Sequence, residues 1–361
     1  MGRRVGDERE YDENDSGHDL RHHGDVDAAP GLLDFAVNVA SVAPPGWLRD
    51  RLVARLDTLG RYPSAAENRT VRAAVAARHG RTPDEVLLLA GGAEGFALLP
   101  RLRPTLAALI QPSFTEPEVA LRDADVPIEH VGLPPPYILD RCVVPDTADL
   151  VVVGNPTNPT SVLHSADSIR ALRRPGRVVL VDEAFADACP GEPESLAGES
   201  LPDVLVLRSL TKTWALAGLR CGYLLGPPEL LERLQVGRAH WPVGSLQLEA
   251  IAACSTSDAV VEATDRARTM IADRATLIDL LRGAEFDVVR PAAGPFLLVR
   301  VGDGQLMREA LREQGIAVRR CDTFPGLGPD HIRVAVRGRV DSERLVSAMI
   351  EARATIEGAG T

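Results

Sequence analysis

Val204-Leu205-Val206-Leu207-Arg208-Ser209-Leu210-Thr211-Lys212 is the stretch on which the reading of this chain turns. Four apolar residues with no polar alternation read as a strand covered on both faces, since a half-exposed strand alternates apolar with polar side chains. The run ends in hydroxyls and a lysine, so polar groups stand at the C-terminal end of that strand. Similar short runs recur at 86–89, 107–110, 150–153, 178–181 and 222–225, separated by stretches of helical spacing. Strand and helix in alternation predict an α/β fold with a mainly parallel sheet covered by helices, and ligand groups collect at the strand ends of such sheets.

Outward from this core, residues 1–21 are rich in Arg, Asp, Glu and Gly and poor in large apolar side chains, a composition that predicts a mobile tail. Residues 22–60 read as an N-terminal arm and helix, 61–245 as the large domain, and 246–361 as a smaller α+β domain. Helical spacing at 45–59 and 66–79 is broken by Gly60-Arg61-Tyr62-Pro63. A long helical pattern over 259–281 precedes strands at 296–301, 316–319 and 331–336, with helices at 305–314 and 342–354 between and after them.

Composition excludes several classes of function. With 361 residues, 45% hydrophobic and 25% charged, the chain buries a sizeable core. A net charge of -11 repels nucleic acid and acidic membrane surfaces, so neither is expected as a partner. Cys142, Cys189, Cys221, Cys254 and Cys321 are scattered without a CxxC pair, which predicts neither a disulfide framework nor a metal site. A charged N-terminus and the lack of a long apolar span predict a cytoplasmic protein.

The chemistry gathers at strand ends. Lys212, one of very few lysines in an arginine-rich chain, reads as an amine able to form a Schiff base beside a phosphate cup. Asp182 ends the run 178–181, where a carboxylate can pair with a protonated pyridine nitrogen. Asn155, in Gly154-Asn155-Pro156-Thr157-Asn158-Pro159, offers an amide to a phenolic oxygen. Gly91-Gly92-Ala93-Glu94-Gly95 opens a helix and frees backbone N–H groups for a phosphate, with Ser209 and Arg220 completing the cup. Downstream, Arg319, Arg333 and Arg337 lie on short strands, and alternation sets Arg333 and Arg337 on one face, able to clamp a carboxylate. Taken singly, each has a plainer reading: a solvated lysine, a helix-capping aspartate, a turn asparagine, a solvent-facing arginine row.

As an ordered set, Gly92-Ala93-Glu94, Asn155-Pro156-Thr157-Asn158-Pro159, Asp182-Glu183-Ala184-Phe185, Ser209-Leu210-Thr211-Lys212 and Gly218-Leu219-Arg220 resemble the fold type I pyridoxal 5′-phosphate (PLP) enzymes of the aminotransferase class I/II superfamily. Within it the resemblance points to the branch holding histidinol-phosphate aminotransferases and threonine-phosphate decarboxylases, over residues 22–355. His23-Gly24-Asp25, Leu33-Asp34-Phe35, Arg61-Tyr62-Pro63, Phe324-Pro325-Gly326-Leu327 and the run Arg333 to Arg337 look closer to the decarboxylases. The resemblance implies PLP on Lys212, Asp182 at the ring nitrogen, Asn155 at the ring oxygen, and the cofactor phosphate on Gly92, Ala93, Glu94, Ser209 and Arg220. It implies a homodimer in which Tyr62 reaches the neighbour's cofactor, and a substrate held by His23, Asn38, Asn158, Arg319 and Arg333.

Three positions depart from the pattern. Phe185 replaces a common tyrosine, Pro117 stands where relatives commonly carry an aromatic, which leaves Phe114 as the ring-stacking candidate, and Gly91-Gly92-Ala93 offers few hydroxyls. The favoured reading from the sequence is decarboxylation of L-threonine O-3-phosphate for cobalamin-type cofactor synthesis. Its alternatives are transamination of histidinol phosphate with 2-oxoglutarate or glutamate, and a PLP-binding paralogue without catalysis.

Overall fold

The computed structural model describes residues 18–359. Seven strands form the central sheet: β1 (Val86–Leu89), β2 (Ala107–Gln111), β3 (Ile128–Gly132), β4 (Leu150–Gly154), β5 (Val178–Asp182), β6 (Val204–Ser209) and β7 (Gly222–Leu225). Their order across the sheet is β1-β7-β6-β5-β4-β2-β3. β7 runs antiparallel to both of its neighbours, and the other pairs are parallel.

Every residue of β2, β4 and β6 is buried, as their unbroken apolar runs require. Period-2 alternation divides them between two cores. Val151, Val153, Val179, Val181, Val204 and Val206 face one layer of helices, while Leu150, Val152, Leu180, Leu205 and Leu207 face the other. β3 escapes the sequence pattern because it is an edge strand whose Glu129 and His130 are exposed.

A second, four-stranded antiparallel sheet carries Arg319–Arg320, His331–Ala335, Phe296–Arg300 and Asp287–Val288, in that order. The stretch expected as one strand at 316–319 is split, because Ile316–Ala317 pairs instead with Leu33–Asp34. The hand-over between the two cores also differs from the boundary near 245. Helix Ser245–Cys254 adds Leu248, Ile251 and Cys254 to the core of the large sheet. The following helix, Ser257–Gly283, begins in that core with Ala259 and Ala263 and ends in the second core with Leu277 and Leu281. One long helix thus belongs to both.

Of the tail expected at 1–21, residues 1–17 lie outside the described residues. The rest is docked: Leu20 is buried and its carbonyl accepts a 2.6 Å hydrogen bond from Thr115 Oγ1. His18 and Arg21 add to the docking, with His18 Nδ1 2.6 Å from the Asp322 carbonyl and Arg21 donating to Asp123 Oδ2 at 2.8 Å.

Candidate active site

Parallel strands β4, β5 and β6 end at one edge of the sheet, where Asp182 pairs in register with Gly154 on one side and Leu207 on the other. Beyond that edge lies a cavity of about 490 Å³ whose wall includes Lys212, Asp182, Ser209, Gly92, Ala93 and Arg220. The segment after Phe35 crosses it. Ala40 N–H donates to the Lys212 carbonyl at 3.0 Å, and Ala36, Val37 and Asn38 line the cavity. The second sheet contributes Arg319 and Arg333.

Lys212 is the only lysine of the chain, a sharper signal than its scarcity had suggested. Burial is the largest influence on it, reinforced by the positive charges of Arg333 and Arg220, and together they bring its amine down to about 8. Asp182 is pushed up to about 6 by burial, while the Ala184 N–H, donating to its Oδ1 at 3.0 Å, holds it back.

The cup beside Lys212 is built by close approach. Gly91 has φ +85°, and a Cβ there would stand 2.9 Å from Arg220 Nη2. A Cβ on Gly222 would stand 2.8 Å from the Arg208 carbonyl and 3.2 Å from Gly92 N. Only bare backbone brings the turn, β7 and the guanidinium this close. Arg220 has no carboxylate partner among the described residues, so its charge is available to an anion, and Ser209 and Thr211 share a hydroxyl pair at 2.7 Å in the same wall.

Three cavity residues carry a buried polar atom with no hydrogen-bond partner among the described residues: Asn38 Oδ1, Arg319 Nη1 and Arg333 Nε. Such atoms cost about 1–3 kcal/mol each when left unmet, and for Arg319 Nη1 the carboxylate of Asp27 at 3.5 Å offsets part of that cost. Arg333 donates through Nη1 to Asn158 Oδ1 at 2.6 Å and is brought down to about 9 by burial and by the charge of Arg319. Arg319 donates to Thr323 Oγ1 at 2.9 Å and lies 3.5 Å from Asp27 Oδ2. Arg337 lines an adjoining compartment of about 240 Å³, which shares Asn38, Phe185 and Lys212 with the main cavity.

Several residues are placed differently from the sequence reading. The Asn155 amide faces away from the cavity, donating to the carbonyls of His164 and Glu194 and accepting from His164 N–H at 2.8 Å. Asn158, three residues on, stands in the cavity wall instead, where its Oδ1 accepts from Arg333. Glu94 does not join the phosphate cup: it accepts two 2.8 Å bonds from Arg238 and one from the Ala90 N–H. Tyr62 is 75% exposed and stacks on Trp241 at 4.3 Å, outside the cavity of its own chain.

Phe114 and His23 do line the cavity, their rings 5.3 Å apart. Two participants were missed. Glu116 holds His23 Nε2 at 2.5 Å, which keeps its carboxyl below the ordinary range, and Asp25 acts on Lys212 across the cavity. Glu116 and His23 are 93 residues apart in sequence, so no local pattern joins them.

The aminotransferase class I and II family model matches residues 31–349, a span that includes the lysine, the aspartate and the glycine-rich anion cup. The chain belongs to the aminotransferase class I and II family. It is an enzyme of that family, and PLP is its cofactor: a guanidinium with no carboxylate partner among the described residues, the bare backbone cup and the buried acid and amine fit the phosphate, the ring nitrogen and the aldehyde in turn. The chain is 58% identical to a histidinol-phosphate aminotransferase of Mycobacterium tuberculosis, over 88% of this chain and 87% of that one. To the threonine-phosphate decarboxylase of Salmonella typhimurium it is 29% identical, over 88% and 90%. The histidinol-phosphate aminotransferase structure from Clostridium acetobutylicum superposes with a TM-score of 0.81 at 22% identity, covering 90% of this chain and all of that one.

These identities correct the reading drawn from the sequence. The motifs that looked closer to a decarboxylase, among them the His23 segment and the Phe324 turn, are outweighed by a relative twice as similar that carries an aminotransferase name. Among the described residues no helix is long and apolar enough to cross a membrane, and no group of His, Cys, Asp or Glu is placed to hold a metal ion.

Proposed function

We propose that this chain is a histidinol-phosphate-type aminotransferase that exchanges an amino group between a phosphorylated amino-group donor and 2-oxoglutarate. The reading is carried by the 58% identity to a histidinol-phosphate aminotransferase over 88% of the chain. The cavity supports it with an anion site at Arg220 and Ser209, and with Arg333 and the Asp27-paired Arg319 in the same wall.

When bound, PLP supplies an electron sink that lets a bond at the substrate α-carbon break. Asp182 would keep the ring nitrogen protonated. Arg220, Ser209, Gly92 and Ala93 would hold the cofactor phosphate, and Asn158 would serve the ring oxygen in the role first given to Asn155. Phe114, in the cavity wall, would cover the ring. The Lys212 amine would move the substrate's α-proton; an amine brought down to about 8 is partly deprotonated at neutral pH, as a general base must be. Arg319 and Arg333 bind the carboxylate of 2-oxoglutarate or glutamate, and His23 and Asn38 close over the substrate. We place the enzyme in the cytoplasm as a homodimer, with exposed Tyr62 reaching the partner.

The test is a product assay on PLP-loaded protein, with Lys212→Ala as the control. Glutamate formed from histidinol phosphate and 2-oxoglutarate, and lost in the variant, supports the proposal. No glutamate, or carbon dioxide released from L-threonine O-3-phosphate, overturns it.

A further inference from the structure

Behind the cofactor cavity, on the opposite face of the same strand ends, lies a buried cluster of charge that the chemistry above does not use. Its two central members are sequence neighbours of site residues. Glu183 follows Asp182, and Arg208 precedes Ser209, so alternation turns both away from the cofactor. Arg208 is only 2% exposed, yet its fork contacts three carboxylates: Glu183 at 3.2 Å, Glu192 through Nη2 at 2.9 Å, and Asp187. Arg78 reaches the last two from the helix Ala65–His79, at 2.8 Å to Asp187 and 3.0 Å to Glu192. Glu183, fully buried, also accepts from the Leu196 N–H at 2.8 Å and so pins the loop that follows it.

Burying this many charges is a poor way to gain stability, because apolar residues of the same volume generally do as well. What such a cluster fixes is direction. Glu192, between the two arginines, sits at φ +47°, a left-handed backbone that a non-glycine residue keeps only where its surroundings dictate it. Asp187 joins the two sides: it belongs to the cluster and also lines the compartment that holds Lys212 and Phe185. The loop tied down by Glu183, Asp187 and Glu192 therefore carries Phe185, a wall of the cofactor cavity, and begins at Asp182.

We propose that Arg208 and Glu183 are positioning residues of the cofactor site: their ion pair, braced by Asp187, Glu192 and Arg78, fixes the direction from which Asp182 and Lys212 meet the cofactor. The inference rests on PLP as the cofactor and is independent of the amino donor.

Lys212 is the only lysine of the unmodified chain, and an amine-reactive label assigned residue by residue by fragment mass spectrometry separates its amine from the α-amino terminus and from the lysine that Arg208→Lys introduces. Arg208→Lys keeps the charge and loses the fork; Glu183→Gln keeps the shape and loses the charge. In cofactor-stripped, full-length protein, each variant is expected to bind PLP about tenfold more weakly, with kcat lowered and KM little changed in the reloaded enzyme. In Arg208→Lys the midpoint of Lys212 labelling against pH rises, since a loosened site admits water to the amine. Wild-type PLP affinity in both variants with an unmoved Arg208→Lys midpoint, whatever happens to Tm, would make the cluster scaffolding and overturn the proposal. Should Arg208→Lys fail to fold, PLP affinity in Glu183→Gln decides: a wild-type Kd overturns the proposal and a tenfold loss supports it.

Discussion

Asp182 and Lys212 face one cavity from the ends of neighbouring parallel strands, and burial displaces both towards neutrality, the carboxyl up to about 6 and the amine down to about 8. Between these values both groups are charged and attract each other, and above about 8 the amine is free to react. A site poised in this way is ready for cofactor before cofactor arrives.

The first prediction concerns that amine. Labelling of Lys212 in cofactor-free protein should rise with pH and reach half its maximal rate near pH 8, well below the ordinary lysine range. PLP should abolish the labelling. A midpoint near 10.5 would mean that the amine is solvated and the cavity open.

Asp182→Asn replaces the acid that sustains the ring nitrogen's proton with a neutral amide. Its kcat should fall by about 10²-fold or more while PLP still binds, because the phosphate cup is intact. Steady-state kinetics beside a PLP titration separate the two effects; a kcat within twofold of wild type would remove Asp182 from the mechanism.

Gly91→Ala places a Cβ 2.9 Å from Arg220 Nη2 on a backbone at φ +85°. The strain alone costs about 1–3 kcal/mol, and the guanidinium must move out of the cup. PLP affinity should therefore fall more than in Ala93→Gly, which leaves Arg220 undisturbed. Equal losses in equilibrium titrations would show that the guanidinium does not hold the phosphate.

His79 supplies a pH prediction. It is half-buried against Arg208 and Arg78, hydrogen-bonds Tyr223 Oη at 2.9 Å, and is driven down to about 2, desolvation being the largest cause. The folded state therefore keeps it neutral, while the unfolded chain takes up a proton below about 6.5, so its stabilising contribution is complete above 6.5 and declines as pH falls. At pH 5 the loss is about 2 kcal/mol. His79→Gln should unfold in urea with a weaker pH dependence between 7 and 5; an unchanged dependence would place the acid sensitivity elsewhere.

The sequence by itself determined the sheet and its business edge. Unbroken apolar runs can be satisfied only by burial on both faces, and the polar residues ending them, Asp182, Ser209 and Lys212, have nowhere to stand but at strand ends. Lys212 needed no fold to be singled out, since no other lysine exists to compete with it. Which asparagine enters the site was a tertiary decision. Asn155 and Asn158 share the same kind of turn, and only the approach of His164 to one and Arg333 to the other separates them. Glu94 likewise looked available until Arg238 came to it from 144 residues away. Arg208 and Glu183 read as ordinary charged residues beside a motif, because hydrogen bonds and Coulomb forces act through space between segments whose meeting no local pattern records. Short-range sterics and burial are written residue by residue; the partners of a charge are written only in the fold.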